Sequence, residues 1–295
     1  MPTIQECITQ GAALLRLHQI PNPISESKLI LRAALSLSLE QMLLQQNDQL
    51  KNLNIEHFHS LLTRRAKGEP IAYIMQNKEF YGIDFFIDNN VLIPRPDTEI
   101  LVQKILDRHD KLDNVKILEL GVGSGCIILS ILKNLPNATG LGIDVSKAAL
   151  AIAQKNAIRL DLQNRISLVQ SDWYQNVTGK FDVIVSNPPY VSKKFSPSKE
   201  LSFEPVIALF AESDGLEHYW KIANDAKNFL HKEGACYVEI GKDTEKQVAE
   251  IFCQKGMTML AAHKDLAQIN RCLEFGLSDS TQSLQLFDQN GISKI

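Results

Sequence analysis

Val115-Lys116-Ile117-Leu118-Glu119-Leu120-Gly121-Val122-Gly123-Ser124-Gly125 is the stretch on which the fold turns. Its first six residues are mostly apolar and read as a strand buried on both faces. The glycines that follow permit a tight turn and close backbone approach. A helical run then extends from Cys126 to about Leu135. This order sets a helix N-terminus, with its free N–H groups, beside a strand end, where a carboxylate or phosphate is favoured. The spacing is Gly-x-Gly-x-Gly. A dinucleotide fingerprint needs Gly-x-Gly-x-x-Gly, and Cys126 fills its last slot. The loop by itself does not single out one ligand.

From Lys111 onward the pattern alternates strand and helix, which predicts a parallel sheet with helices on both faces. Strands are expected at 139–143, 166–170, 181–186, 235–240, 257–262 and 271–275, with helices near 214–231 and 244–254. The short connection between the last two strands predicts that they pair antiparallel. Asp144 closes the second strand, about 20 residues after the loop, where an acid suits a two-point hold on ribose hydroxyls and repels a 2′-phosphate. Ser171-Asp172-Trp173 follows the third strand. Asp172 can accept from an adenine amino group, and Trp173 can cover the ring. Capping and turn closure are the ordinary alternatives for both aspartates. Loop, Asp144, Asp172-Trp173 and Asn187 all stand at carboxyl ends of successive strands, where open α/β sheets bind ligands. That order reads as S-adenosylmethionine followed by the group to be methylated.

Asn187-Pro188-Pro189-Tyr190 comes after the strand at 181–186. Each proline fixes its own φ and holds the preceding residue extended, so the turn starts nearly rigid. Neither proline has an N–H, and the turn presents carbonyls without competing donors. The Asn187 side-chain oxygen and the Pro188 carbonyl can each accept one proton of an NH2 group. That grip turns the nitrogen lone pair out of conjugation, against a barrier of ~18–20 kcal/mol for an amide, and opposes the positive charge growing on nitrogen. Tyr190 can lie flat on the planar group. No general base is required before transfer, because the methylated nitrogen becomes acidic. Pro-Pro after a strand is otherwise a simple strand terminator.

The chain resembles the protein-(glutamine-N5) methyltransferase family that modifies translation release factors. Four stretches carry the likeness: Gly68-Glu69-Pro70-Ile71-Ala72-Tyr73, Val91-Leu92-Ile93-Pro94-Arg95-Pro96-Asp97-Thr98-Glu99, the Asn-Pro-Pro-Tyr motif, and Phe203-Glu204-Pro205 with Asp214-Gly215-Leu216. It runs from about Ser60 to Gly276 and more weakly through the N-terminus. The Leu-Ile-Pro-Arg-Pro-Asp-Thr-Glu string is far more specific than either the glycine loop or the Asn-Pro-Pro-Tyr motif, which many methyltransferases share. The resemblance implies a class I (Rossmann-like) methyltransferase domain, an α/β fold with a mostly parallel seven-stranded sheet, preceded by a small helical N-terminal domain. It implies that Gly121, Val122, Gly123, Ser124, Gly125, Asp144, Trp173 and Asn187 hold S-adenosylmethionine, to which the reading of the residues adds Asp172. It further implies that Asn187, Pro188, Pro189 and Tyr190 hold and activate the glutamine of a Gly-Gly-Gln loop in a peptide-chain release factor. The methyl group would pass by direct SN2 displacement. The N-terminal helices would dock that large substrate, although their Gln-rich stretches, such as Gln45-Gln46, depart from the family pattern.

Four segments are expected: helices over 1–77, a β-hairpin linker over 78–96, the methyltransferase domain over 97–278 and a C-terminal tail over 279–295. Thr3 and Glu6 form a capping box for the first helix, Pro21 and Pro23 end it, Ser25 or Ser27 starts a second, and a third runs over about 54–66. Asp97 or Thr98 is expected to cap the helix after Pro94-Arg95-Pro96. Arg95 approaches the active site or the partner, or pairs with Glu99, and Glu204 either positions substrate or forms a structural ion pair. The polar stretch 191–205 is a candidate lid or partner contact. A net charge of −3 opposes extended contact with nucleic-acid phosphates, so no direct nucleic-acid partner is expected. Cys7, Cys126, Cys236, Cys253 and Cys272 make an odd count with no Cys-x-x-Cys, which predicts reduced thiols, no metal site and a cytoplasmic setting. Neither a signal peptide nor a membrane span is expected, and a monomer is the default.

Three other functions compete with glutamine methylation. An exocyclic NH2 of a nucleic-acid base suits the same Asn-Pro-Pro-Tyr grip, but the acidic balance argues against it. A catalytically silent adapter would not need the intact Gly121, Gly123, Gly125, Asp144 and Asn187. A dinucleotide oxidoreductase is disfavoured by Cys126.

Overall fold

Local signals start the chain folding. Thr3 caps α1 (Ile4–Leu17): its hydroxyl accepts the Glu6 N–H at 3.2 Å, and the Glu6 carboxylate accepts the Thr3 N–H at 2.8 Å. α2 (Pro23–Leu35) begins before either candidate serine. Asn22 takes the left-handed conformation (φ 50°), and Pro23 fills the first helical position, where a missing N–H costs nothing. α3 (Leu39–Leu44), boxed by Ser38 and Gln41, was too short to stand out from the pattern. α4 (Asn52–Ala66) follows, then α5 (Ile71–Met75) after Pro70. Ile4, Leu15, Ile30, Leu31, Phe58 and Leu62 build one core among these helices.

The structure is a computed structural model and describes residues 1–111, 113–196 and 198–278. The expected tail at 279–295 lies outside the described residues. The chain forms two compact units. The first is Met1–Asn77 with Ile87–Asn89 and Pro197–Glu204; the second is Lys78–Phe86, Asn90–Ser196 and the chain from Pro205.

The second unit opens with a hairpin of β1 (Lys78–Phe80) and β2 (Ile83–Phe85), then α6 (Glu99–Arg108). There follow β3 (Lys116–Leu120), α7 (Cys126–Asn134), β4 (Thr139–Asp144), α8 (Lys147–Arg159), β5 (Ile166–Gln170) and β6 (Phe181–Ser186). A small parallel pair, β7 (Val191–Ser192) and β8 (Phe210–Ala211), brackets α9 (Val206–Leu209). The chain ends in α10 (Glu217–Phe229), β9 (Leu230–Glu239), α11 (Glu245–Gln254), β10 (Met257–Lys264) and β11 (Asn270–Leu277). Seven strands form one sheet in the order β10-β11-β9-β6-β3-β4-β5. Only β11 runs against its neighbours; the other pairings are parallel.

Period-two alternation divides the sheet's side chains between two cores. Ile117, Val183, Val185, Ala235 and Tyr237 face the core shared with α6, α7 and α8. Leu118, Leu120, Ile184, Cys236 and Val238 face the core shared with α10 and α11. No helix among the described residues is long and apolar enough to cross a membrane.

Arg65, near the end of α4, is 2% exposed. Its guanidinium pairs with Glu26 and with Glu200 at 2.5 Å, and donates to the Glu69 carbonyl at 3.1 Å. All four residues belong to the first unit. Removing a buried partner strands the charges left behind, so Arg65→Ala is expected to destabilise the chain by about 3 kcal/mol or more. Chemical denaturation reads this directly; an unchanged midpoint would refute a structural role for the cluster.

Candidate active site

Strand order reverses between β3 and β6, the place where an open α/β sheet forms a crevice at its carboxyl ends. A cavity of about 350 Å³ lies there, within the second unit. The glycine loop forms one wall. Gly121 (φ 74°), Gly123 (φ 51°) and Gly125 (φ 78°) all adopt the left-handed region that glycine tolerates. The N–H groups of Gly121 and Val122 donate to the Ile143 carbonyl at 2.9 and 2.8 Å, which ties the loop to the end of β4. No atom lies within 4 Å of where a Cβ would stand on Gly121 or Gly123, so a ligand can approach the bare backbone.

Asp144 is fixed by this loop as much as it fixes it. Its Oδ2 accepts the Gly123 N–H at 3.0 Å and its Oδ1 the Ser146 N–H at 2.9 Å. Burial pushes its pKa up while these N–H groups hold it down. Ser146, not Asp144, caps α8. The turn role and the cavity role of Asp144 therefore coexist, because each carboxylate oxygen keeps a further lone pair.

Asp172 and Trp173 line the same cavity. Asp172 makes no side-chain cap at the short helical turn it precedes. Trp173 has φ 49°, rare for a bulky residue. The Ser171 hydroxyl holds this turn by donating to the Trp173 carbonyl at 2.7 Å and accepting the Asn176 N–H at 3.0 Å. The indole packs against His218, with ring centroids 5.4 Å apart. His218 Nδ1 is buried without a hydrogen-bond partner, and burial pushes the imidazole pKa down.

Asn187 and Pro189 reach the cavity; Pro188 and Tyr190 do not line it. Among the loop residues, Gly121, Val122, Gly123 and Ser124 line it and Gly125 does not. Gly125 instead begins α7. Asn187 Nδ2 donates to the Thr98 hydroxyl at 3.1 Å. Tyr190 donates its hydroxyl to Glu239 at 3.0 Å. The carbonyl of Tyr190 lies where a Cβ on Gly215 would meet it at 2.4 Å. Only glycine fits there, which gives a physical reason for glycine in Asp214-Gly215-Leu216. Arg95 lines the cavity, while the Glu99 carboxylate accepts the Tyr81 N–H at 2.9 Å. Glu204 is buried in the first unit.

Three polar residues at this end of the sheet have surroundings that local sequence rules do not give. Thr98 read as a helix cap, but makes no capping bond and meets Asn187 instead. Glu119 read as part of a strand; it is buried, accepts the Ile128 N–H at 3.0 Å and lines the cavity, with burial lifting its pKa well above the carboxylate range. Glu239 closes β9 and is 1% exposed. Burial pushes its pKa up to about 7, against the pull of Thr98 and Tyr190.

A mostly apolar cavity with open glycine backbone, acids at Asp144 and Glu119, and Trp173 on its wall suits an adenosyl group with a cationic side chain. The lining, with the carboxylates of Asp144 and Asp172 and the Trp173 ring around open glycine backbone, fits S-adenosylmethionine.

Comparison with known proteins agrees with this geometry. A family model for the methyltransferase small domain matches residues 96–203, and one for the PrmC N-terminal domain matches residues 6–75. A release factor glutamine methyltransferase of Caulobacter vibrioides is 36% identical over 91% of this chain and 94% of its own length. A bifunctional methyltransferase of Rickettsia bellii is 39% identical over 95% of this chain, yet the match covers 56% of that relative. The chain thus spans little more than half the length of the bifunctional relatives it matches. A solved methyltransferase from Pyrococcus furiosus shares the fold, with a TM-score of 0.52 at 21% identity over 73% of this chain and 99% of its own.

Glu239 makes the stability of the chain depend on pH. A carboxyl whose pKa rises from an unfolded 4.5 to about 7 on folding binds its proton more tightly when folded. Its ionisation therefore costs stability as pH climbs through that window. Glu239→Gln removes the titration. Measured by denaturation, Glu239→Gln is expected to gain stability relative to wild type between pH 5 and about pH 8; an equal offset at both pH values would overturn the raised pKa.

Proposed function

Because the chain belongs to the release factor glutamine methyltransferase family, we propose that it methylates the side-chain amide nitrogen of a glutamine in the Gly-Gly-Gln loop of peptide-chain release factors. The observation that carries this reading is the Asn187 amide. Its NH2 is committed to Thr98 at 3.1 Å while the residue lines the cavity, which leaves the amide oxygen as the group to accept from a substrate NH2.

S-adenosylmethionine supplies an electrophilic methyl group on a sulfonium. The Asn187 oxygen and the Pro188 carbonyl each accept one proton of the substrate amide, and the rigid prolines keep both acceptors in place. Nitrogen so held would take the methyl group from the cofactor, whose sulfur would keep the bonding pair, and would then give up a proton to solvent. Tyr190, with its hydroxyl anchored on Glu239, sets the tilt of the planar amide. Gly121, Val122, Gly123, Ser124, Asp144, Asp172 and Trp173 would hold the cofactor, and Gly125 starts the helix that follows the loop. The helices of 1–77 dock the release factor, the hairpin of 78–96 links them to the catalytic part, and 97–278 carries the chemistry. Nucleic acid is not the substrate in this reading.

The test is label transfer from radiolabelled S-adenosylmethionine into a release factor, into the same factor with the glutamine changed to alanine, and into bulk RNA and DNA. Label in the intact factor alone is expected; label in nucleic acid and none in the factor would overturn the substrate. Asn187→Ala should lower turnover by about 100-fold or more with cofactor affinity largely kept. Asp144→Ala should instead weaken cofactor binding by roughly 10-fold or more, as expected for a lost charged hydrogen bond, read by calorimetry. The opposite pattern would exchange the two roles.

A further inference from the structure

We propose that Glu239 is a positioning residue which, through Thr98, sets the orientation of the Asn187 amide and holds both ends of the Asn-Pro-Pro-Tyr turn. The proposal rests on the substrate reading above.

The sheet brings the groups together. β6 and β9 are parallel neighbours, with Ser186 paired to Val238, so Asn187 and Glu239 are the next residues on adjacent strands. The Glu239 carbonyl accepts the Tyr219 hydroxyl at 2.9 Å, which pins its backbone. Its Oε1 accepts the Tyr190 hydroxyl at 3.0 Å. Its Oε2 is buried and has no hydrogen-bond partner. The Thr98 hydroxyl is held beside it by Asn187, and its influence lowers the carboxyl's pKa against burial. Asp97 opposes the ionised form and Arg271 favours it. Arg271 also pairs with Asp97 at 3.2 Å and Asp265 at 3.1 Å.

Proton counting gives the arrangement its direction. A hydroxyl has one proton to donate and two lone pairs. Thr98 spends a lone pair on Asn187 Nδ2–H, and its own proton then needs an acceptor. A buried carboxylate oxygen short of a donor is the group at hand. In the ionised carboxyl, the form Glu239 takes above about pH 7, Oε2 is free to accept that proton, and Thr98 is then an acceptor toward Asn187. The amide's nitrogen turns to Thr98 and its oxygen to the cavity. The two ends of an amide have nearly the same shape, so packing alone does not choose between them. A glutamine at 239 would reverse the order: its NH2 donates to Thr98, the Thr98 proton swings to Asn187, the amide flips, and a donor faces the substrate. Tyr190 loses no packing in that exchange. The effect is confined to the electronic face shown to the substrate.

Glu239→Gln, Thr98→Val, their double variant and Thr98→Ser test this in the full chain. Turnover on the release factor is expected to fall about 100-fold in each of the first two, with KM and cofactor affinity within a few-fold. The double variant should be no slower than the worse single, as for two members of one relay. Thr98→Ser, which restores the hydroxyl, should recover at least roughly tenfold over Thr98→Val. In the ligand-free protein, the Asn187 side-chain amide resonances, identified by their loss in Asn187→Ala, should move in Glu239→Gln and Thr98→Val and return in Thr98→Ser. Turnover within threefold of wild type in Glu239→Gln and Thr98→Val, multiplying losses in the double variant, or unmoved amide resonances would overturn the relay. Wild type that labels no release factor would overturn the substrate reading instead, and the resonances would still decide the relay.

Discussion

Strand order reverses between β3 and β6, and the chain leaves these two strands toward opposite faces of the sheet. α7 packs into the core on one face and α10 into the core on the other. The crevice between the diverging connections is where backbone N–H groups, side-chain acids and the Asn-Pro-Pro-Tyr turn can converge without crossing a buried strand. Everything that the cavity offers a ligand follows from that divergence. The glycine loop can lie flat because it is tied to Ile143 on the neighbouring strand, and Asn187 reaches the cavity because β6 ends beside it.

Among the acids at the carboxyl ends of the sheet, Asp144, Glu119 and Glu239 have different fates. Asp144 meets backbone N–H groups on both oxygens. Glu119 has a single backbone donor and stands in the field of Asp144, which adds to its burial in favouring the neutral form. Glu239 has a tyrosine hydroxyl, a threonine hydroxyl nearby and a distant arginine. Burial penalises charge in all three, and the number of donors decides how much of the penalty is returned. Asp144, with a donor on each oxygen, and Glu119, with one donor, deeper burial and the Asp144 charge beside it, are thus set apart by hydrogen bonding, burial and charge together.

Much of this was legible in the sequence because it depends on short-range pattern. Runs buried on both faces, such as 116–120 and 181–186, announce their strands, and glycines at 121, 123 and 125 announce the turn between strand and helix. The Thr3–Glu6 box could be read from spacing alone. Other features arise only when distant segments meet. Thr98 follows Pro96-Asp97 and precedes a helix, so local rules assign it a cap, whereas its hydrogen-bond partner comes from a strand end much later in the chain. Glu239 at the close of an apolar strand looks like a residue returning to solvent; Tyr190 and Tyr219 cover it instead. Trp173 sits in a backbone conformation that its own side chain disfavours, held by Ser171 and Asn176 hydrogen bonds that no propensity scale contains. The start of α2 slipped for the reverse reason: two serines offered good caps, and an Asn-Pro pair upstream outcompeted both.

The first unit is assembled from three separate stretches of chain. Arg65 draws its partners from two of them, Glu26 within the leading helices and Glu200 in a segment that arrives only after the Asn-Pro-Pro-Tyr turn has been made. During synthesis the helices therefore emerge with one of their ionic partners still unmade. The leading 77 residues, expressed by themselves, would carry a guanidinium sized for two carboxylates and supplied with one. The ionic cluster of the helical unit is complete only with a segment that follows much of the second unit in the chain.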